Sequence, residues 1–172
     1  MAKLEINDAS PAFMRRARLW KKGRSPDEFE PGRVFHHHWG RTLNSGDNSL
    51  FSTLTQSYNP LYFNAEYARG QGHPGIVVNP LLVFNTVFGL SVEDLSEAGG
   101  PFVGINDCRF LRPVHEGDTL SAHSEVVAKR KSKSKPGAHL VTWRTRGLNQ
   151  RGETVVEYLR SNLLFAGGGF PE

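Results

Sequence analysis

The chain has 172 residues, 38% hydrophobic and 22% charged, with one cysteine and a formal net charge of +4. These proportions exclude a disordered composition, and no apolar run approaches the roughly 20 residues that a spanning helix needs. Cys108 alone allows neither an internal disulfide nor a thiolate metal cluster, and the opening MAKLEINDAS carries Glu5 and Asp8 without the apolar stretch of a secretory leader. A cytoplasmic protein built as one domain, residues 33–166, between an N-terminal arm (1–32) and a short tail (167–172), is the expectation.

In chain order, the arm carries a basic stretch, Arg15, Arg16, Arg18, Lys21, Lys22 and Arg24, and RVFHHHWGRT reads as a strand. Asp47 is expected to cap a helix whose residues Leu50, Phe51 and Leu54 share one face. That helix must stop before Pro60, whose ring disfavours helical geometry at Asn59. A short segment from Ala65 to Arg69 ends at Gly70. Asn79 as cap and Pro80 at the first helical position then open a helix with apolar residues nearly all round, Leu81, Leu82, Val83, Phe84, Val87, Phe88 and Leu90, a pattern that predicts burial. Four β-rich segments follow, PFVGINDCRFLRPV, DTLSAHSEVVAKR, HLVTWRTRGLNQ and ETVVEYLRSNLLF, expected to form an antiparallel meander. The fold class is α+β, with the sheet wrapped around one buried helix.

Several side chains invite chemistry. His36, His37 and His38 alternate faces in a strand, so at most two of them share a side, and no carboxylate follows at ligand spacing; no metal is expected. One of the three could instead face a pocket as a base. His73 is expected to be structural, and Cys108 a small buried thiol. Asp47 lies about a helix length, roughly 15 Å, from Ser57 and reads as a cap. Glu66 reads as a surface residue, while Asp107 and Arg109 share a strand face with Ile105. Lys129, Arg130, Lys131, Lys133 and Lys135 sit at a hairpin tip, either as solvated charge or as a holder of small-ligand phosphates. Without interleaved aromatics or a reading motif, no nucleic acid partner is expected.

The stretch LTQSYNPLYFNAEYA poses a sharper question, because a helix stops in polar and aromatic residues and another begins at once. Together with GIVVNPLLVF and FLRPVHEGDTL, it resembles the MaoC-like dehydratases, which include the R-specific enoyl-CoA hydratases and have a hot-dog fold; the likeness runs from about Val34 to Phe165. The resemblance implies that the turn is an active-site wall, usually Gly-Asp-x-Asn-Pro-Leu-His, whose Asp and His activate water. In this chain Gln56, Ser57 and Tyr62 stand at the Gly, Asp and His places, and Asn59, Pro60 and Leu61 are kept. The resemblance also implies a thioester oxygen held at the start of the central helix, where Pro80 has no N–H and Leu81 or the Asn79 side chain would serve.

The resemblance therefore implies an acyl-CoA hydratase or dehydratase without cofactor, metal or membrane, with Ser57, Asn59 and Tyr62 as catalytic candidates. Asn79, Leu81, Lys131 and Lys133 are substrate-binding candidates, and a homodimer would pair sheets edge to edge over the last strand. Two alternatives are a non-catalytic thioester-binding or partner subunit and, third, a hot-dog thioesterase, which needs a carboxylate near the central helix; Glu93 and Asp94 are expected beyond that helix. Mesaconyl-CoA and itaconyl-CoA are candidate substrates by the same likeness.

Overall fold

The computed structural model describes Ala12, residues 23–97 and residues 99–165; the basic run from Arg15 to Lys22 and the tail from residue 167 lie outside them. Strands β1 (Val34–His36) and β2 (Arg41–Thr42) precede helices α1 (Ser45–Leu54), α2 (Ala65–Gly70) and α3 (Pro80–Leu95). Strands β3 (Phe102–Phe110), β4 (Thr119–Lys131), β5 (Ala138–Leu148) and β6 (Thr154–Phe165) complete the described chain. The strand expected over RVFHHHWGRT is broken in two, and both pieces lie along β4. The break falls where His37 turns into the core.

The sheet order is β1-β4-β5-β6-β3, all antiparallel, with β2 also on β4. Only β4, β5 and β6 form the expected meander. The segment between β3 and β4 is no tight hairpin: Val114 O accepts Val78 N–H at 2.8 Å, and Gly117 N–H donates to Leu43 O at 2.8 Å. These bonds carry the chain across to the far side, so β3 pairs with β6 and is itself an edge of the sheet, while the last strand is internal. Cys108, expected to be buried, is exposed on that edge.

Local caps explain the helix limits. Asn44, not Asp47, caps α1: its side chain accepts Asp47 N–H at 3.0 Å, and the Asp47 carboxylate accepts Asn44 N–H at 3.3 Å, a reciprocal box that fixes the first turn. Asn79 and Pro80 begin α3 as read from the sequence. Val83, Val87, Ser91 and Leu95 form its buried stripe, one residue every helical turn, with Val83 and Val87 in one cluster with Leu120, Val156 and Tyr158 and Leu95 in a second with Phe35 and Trp143. The opposite face is not covered: Leu81 is 53% exposed, and Asn85 and Gly89 are exposed. A sheet packed on one side of a helix cannot also close the other.

Helix and sheet approach closely at Gly147. A Cβ there would lie 2.9 Å from Val156 Cγ1 and nearer still to Val87. Gly147→Ala should therefore destabilise by about 1–3 kcal/mol through overpacking, read as a lower melting temperature. Gly104→Ala, with open space around the new carbon, should cost far less.

Candidate active site

The turn after α1 is built by ordinary capping. Gln56 takes a left-handed backbone (φ 53°) and Ser57 N–H donates to Ser52 O at 2.8 Å. Asn59 Oδ1 accepts Leu61 N–H at 3.1 Å and, with Pro60 next, starts one 3-10 turn, Pro60–Tyr62. Asn64 repeats the device for α2, accepting Tyr67 N–H at 3.0 Å. One helix can stop and another start so soon because each short element brings its own asparagine cap.

Asn48, 1% exposed in α1, ties this turn to the central helix. Its Nδ2 donates to Tyr62 O (2.9 Å) and Val77 O (3.2 Å), and its Oδ1 accepts Asn79 N–H (2.8 Å). Val77 N–H in turn donates to Leu61 O at 3.0 Å. Three segments remote in sequence meet here around a cavity of about 290 Å³, walled by Leu61, Val78, Val83, Phe110 and their neighbours. Among the described residues Tyr62, His73 and Arg112 supply its only polar side chains, and no carboxylate lines it.

His73 is set in place where α2 ends, its N–H donating to Ala68 O at 3.0 Å after left-handed Gly72. Its Nδ1 lies 3.4 Å from His115 Nε2, and its own Nε2 makes no hydrogen bond among the described residues. His115 is anchored from behind: its N–H donates to Asp118 Oδ2 at 2.9 Å, and Gln150 Nε2 donates to Asp118 Oδ1 at 2.6 Å. Burial holds the His115 ring below the ordinary imidazole range, against the opposing pull of Asp118.

Of the catalytic candidates, Tyr62 lines the cavity, half-buried; Ser57 and Asn59 do not line it, and Asn59 is exposed. Asn79 is turned inward, its Nδ2 donating to Ser52 Oγ at 3.3 Å and its Oδ1 accepting Leu81 N–H at 3.0 Å. The N–H groups of Leu82 and Val83 donate to Asn79 O. The donors at the start of α3 are thus taken up by a cap made within the chain. Lys131 and Lys133 lie at and beyond the far end of β4, about 40 Å from Thr119 at ~3.3 Å per residue.

The histidine run serves elsewhere. His36 and His38 are exposed, and none of the three lines the Tyr62 cavity. His37 is buried, with Nδ1 2.8 Å from Asp94 Oδ2 and Nε2 2.9 Å from Ser124 Oγ, which lies 2.8 Å from Thr145 Oγ1. The order of groups is that of a nucleophile triad, but Ser124 is fully buried and no described cavity reaches it. Asp94, expected beyond the central helix, is in its last turn and also receives Arg24 at 3.4 Å. Burial raises its carboxyl, but the His37 and Arg24 contacts outweigh this and hold it below the ordinary range.

A larger groove of about 450 Å³ follows the open face of α3 past Trp39, Phe51 and Asn85. Its one charged side chain, Arg41, is bound to Asp47 at 2.7 Å, so it offers no group for proton transfer. A β-bulge with left-handed Asp107 (φ 49°) brings Asp107 and Arg109 into a recess with Arg144 and Glu157, also apart from Tyr62. Among the described residues no three His, Cys, Asp or Glu side chains gather as metal ligands, and no helix is long and apolar enough to cross a membrane. Asn48, Arg112 and His115 were missed in the sequence, because their roles depend on partners far along the chain.

The family model described as mesaconyl-CoA hydratase matches residues 6–166, a span reaching into the stretch read as an arm. A mesaconyl-CoA hydratase from Cereibacter sphaeroides is 37% identical over 139 residues, 80% of this chain and 40% of that protein. A beta-methylmalyl-CoA dehydratase from Chloroflexus aurantiacus is 35% identical over 135 residues, 78% of this chain and 38% of that protein. A solved Mycobacterium tuberculosis protein, described as having a double hot-dog fold, superposes with TM-score 0.76 at 25% identity, over 87% of this chain and 46% of that one. The chain spans less than half the length of these relatives. With its antiparallel sheet packed on one central helix, the chain has the hot-dog fold of the MaoC-like dehydratases and belongs to the mesaconyl-CoA hydratase family.

Proposed function

We propose that the chain is a hydro-lyase that adds water reversibly across the double bond of an enoyl-CoA. The observation that supports this most is the Tyr62 cavity, an apolar wall for an acyl group with three convergent polar side chains, in a member of a hydratase family. Tyr62 acts at the reacting end, and Asn59 and Ser57 act through the turn that presents it. The Leu81 N–H holds the thioester oxygen by sharing itself with Asn79 Oδ1. Lys131 and Lys133 do not line this cavity; their part in this reading is with the nucleotide phosphates outside it. The single exposed thiol, Cys108, fits a reducing cytoplasmic setting.

Hydration of a panel of enoyl-CoA esters, followed by loss of the conjugated thioester absorbance, tests the reading. Tyr62→Phe should lower turnover by about 10²-fold if the hydroxyl takes part in proton transfer, and Asn59→Ala should lower it as well. Loss in neither variant would remove both residues from the chemistry.

Arg112 points to a dicarboxylic substrate such as mesaconyl-CoA. Its side chain is more than half exposed at the cavity, and its ion pair with Glu153 is long, 3.8 Å, which leaves the guanidinium free to take a substrate carboxylate. Arg112→Met should raise KM about tenfold, ~1.4 kcal/mol, for a carboxylate-bearing enoyl-CoA and leave an uncharged short-chain enoyl-CoA unaffected. Equal changes for both would count against the assignment.

A second reading concerns assembly. The chain covers under half of its relatives, one of which has a double hot-dog fold, and the β3 edge is unpaired with Phe102, Val103 and Phe110 exposed. A second hot-dog unit, in a homodimer or as a partner subunit, would cover that edge. Native mass spectrometry of the purified chain separates the two: a dimer supports self-pairing. A monomer that binds acyl-CoA without turning it over supports the partner-subunit reading.

A further inference from the structure

We infer that His73, positioned by His115, is the residue that moves the proton at the reacting end of the substrate. The role rests on the hydration reading above and names a residue that reading leaves open. A phenol, with an ordinary pKa of ~10, donates at neutral pH, whereas an imidazole both takes and gives a proton there. His73 is the one imidazole lining the cavity, and the nitrogen not facing His115 is unbonded among the described residues.

The contact between His73 Nδ1 and His115 Nε2 requires one proton between the two nitrogens. With His115 neutral and accepting, His73 carries its proton on Nδ1 and presents the Nε2 lone pair as a base. Once Nε2 has taken a proton, the imidazolium, still donating Nδ1–H to His115, presents Nε2–H as the acid. Both forms use the same ring positions, so hydration and dehydration need no rearrangement. Burial of His115 favours its neutral form, and the Asp118 bond to its backbone keeps the ring where it can accept.

In the hydration direction, His73 Nε2 takes a proton from water as the water oxygen bonds to the β-carbon. The double-bond electron pair moves into the thioester as an enolate. The imidazolium then delivers that proton to the α-carbon, so both parts of the water end on the substrate and His73 returns to its starting state. Tyr62 donates its hydroxyl hydrogen bond to the water or the enolate. The remaining charged or titratable groups about the pair are Arg112 at the cavity and Asp118 and Arg151 on the His115 side.

His73→Gln in the full chain should reduce kcat by about 10²- to 10⁴-fold with little change in KM, and should abolish the acid limb of the kcat–pH profile. His115→Asn, acting only through His73, should lower kcat less and displace that limb along the pH axis, a change a merely structural role would not give. Where His73→Gln fails to fold, imidazole NMR titration of the wild-type protein decides: the His73 pKa must match the kinetic acid limb, and a mismatch overturns the assignment. A folded His73→Gln protein with wild-type kcat, beside an impaired Tyr62→Phe, overturns His73 alone. A wild-type protein inert toward every enoyl-CoA overturns the hydration reading together with it.

Discussion

An Asn48→Leu variant is expected to lose roughly 3 kcal/mol or more of stability and all hydration activity. Leucine matches the size of asparagine closely enough to enter the same space, but it leaves Tyr62 O, Val77 O and Asn79 N–H without their buried partner, and each such orphan costs about 1–3 kcal/mol. A loss of this size is a large share of the ~5–15 kcal/mol that holds a domain together. The loss in activity has a separate cause: the same three bonds fix the Tyr62 turn against the start of α3, and the cavity exists only while these segments are held together. Ser52→Ala is the contrast. It removes one long hydrogen bond, 3.3 Å from Asn79 Nδ2, and should cost about 1 kcal/mol or less. Urea denaturation and enoyl-CoA turnover of both variants check the ranking; equal costs would mean that Asn48 is not the clamp.

His37→Leu is expected to destabilise by about 2–4 kcal/mol at neutral pH, because a charge-assisted bond to Asp94 and a buried bond to Ser124 disappear together. It should also flatten the acid side of the stability curve. Burial, only partly offset by Asp94, holds His37 below its ordinary 6.5, so the unfolded chain binds that proton first as the pH falls. The stability due to neutral His37 is therefore complete above 6.5 and declines as pH drops toward the folded-state value. His115 and His123 are lowered by burial in the same direction and add to the slope. Asp94 acts in a lower window: held beneath 3.8, its contribution is complete above that value and is lost as pH falls through its folded value. Urea midpoints measured across this range should decline toward acid in the wild type and less steeply in His37→Leu. An unchanged slope would assign the effect to the other two histidines.

What could be read from the sequence was local. Asn59-Pro60 and Asn79-Pro80 declare a helix stop and a helix start because capping and the proline ring act within a few residues. The alternation from Thr119 to Lys131 likewise marks its own strand. Even so, the cap of α1 shifted from Asp47 to Asn44, since both residues belong to one reciprocal box and either could be taken for its start. The motif resemblance located Tyr62 and its turn, which now stand at a cavity.

Tertiary structure decided the remainder. Whether β3 pairs with β4 or crosses to β6 depends on bonds from the connecting segment to Val78 and Leu43, which no local rule contains. That crossing leaves Cys108 on an open edge and the last strand inside. Asn48 could be recognised as a clamp only once Tyr62, Val77 and Asn79 surrounded it. His73 and His115, 42 positions apart, face each other because the Val77–His115 bridge joins their segments. Capping and periodicity are nearest-neighbour physics and so are written in short words of sequence; a site is a meeting of distant segments, and it appears only when the sheet and its central helix have brought them together.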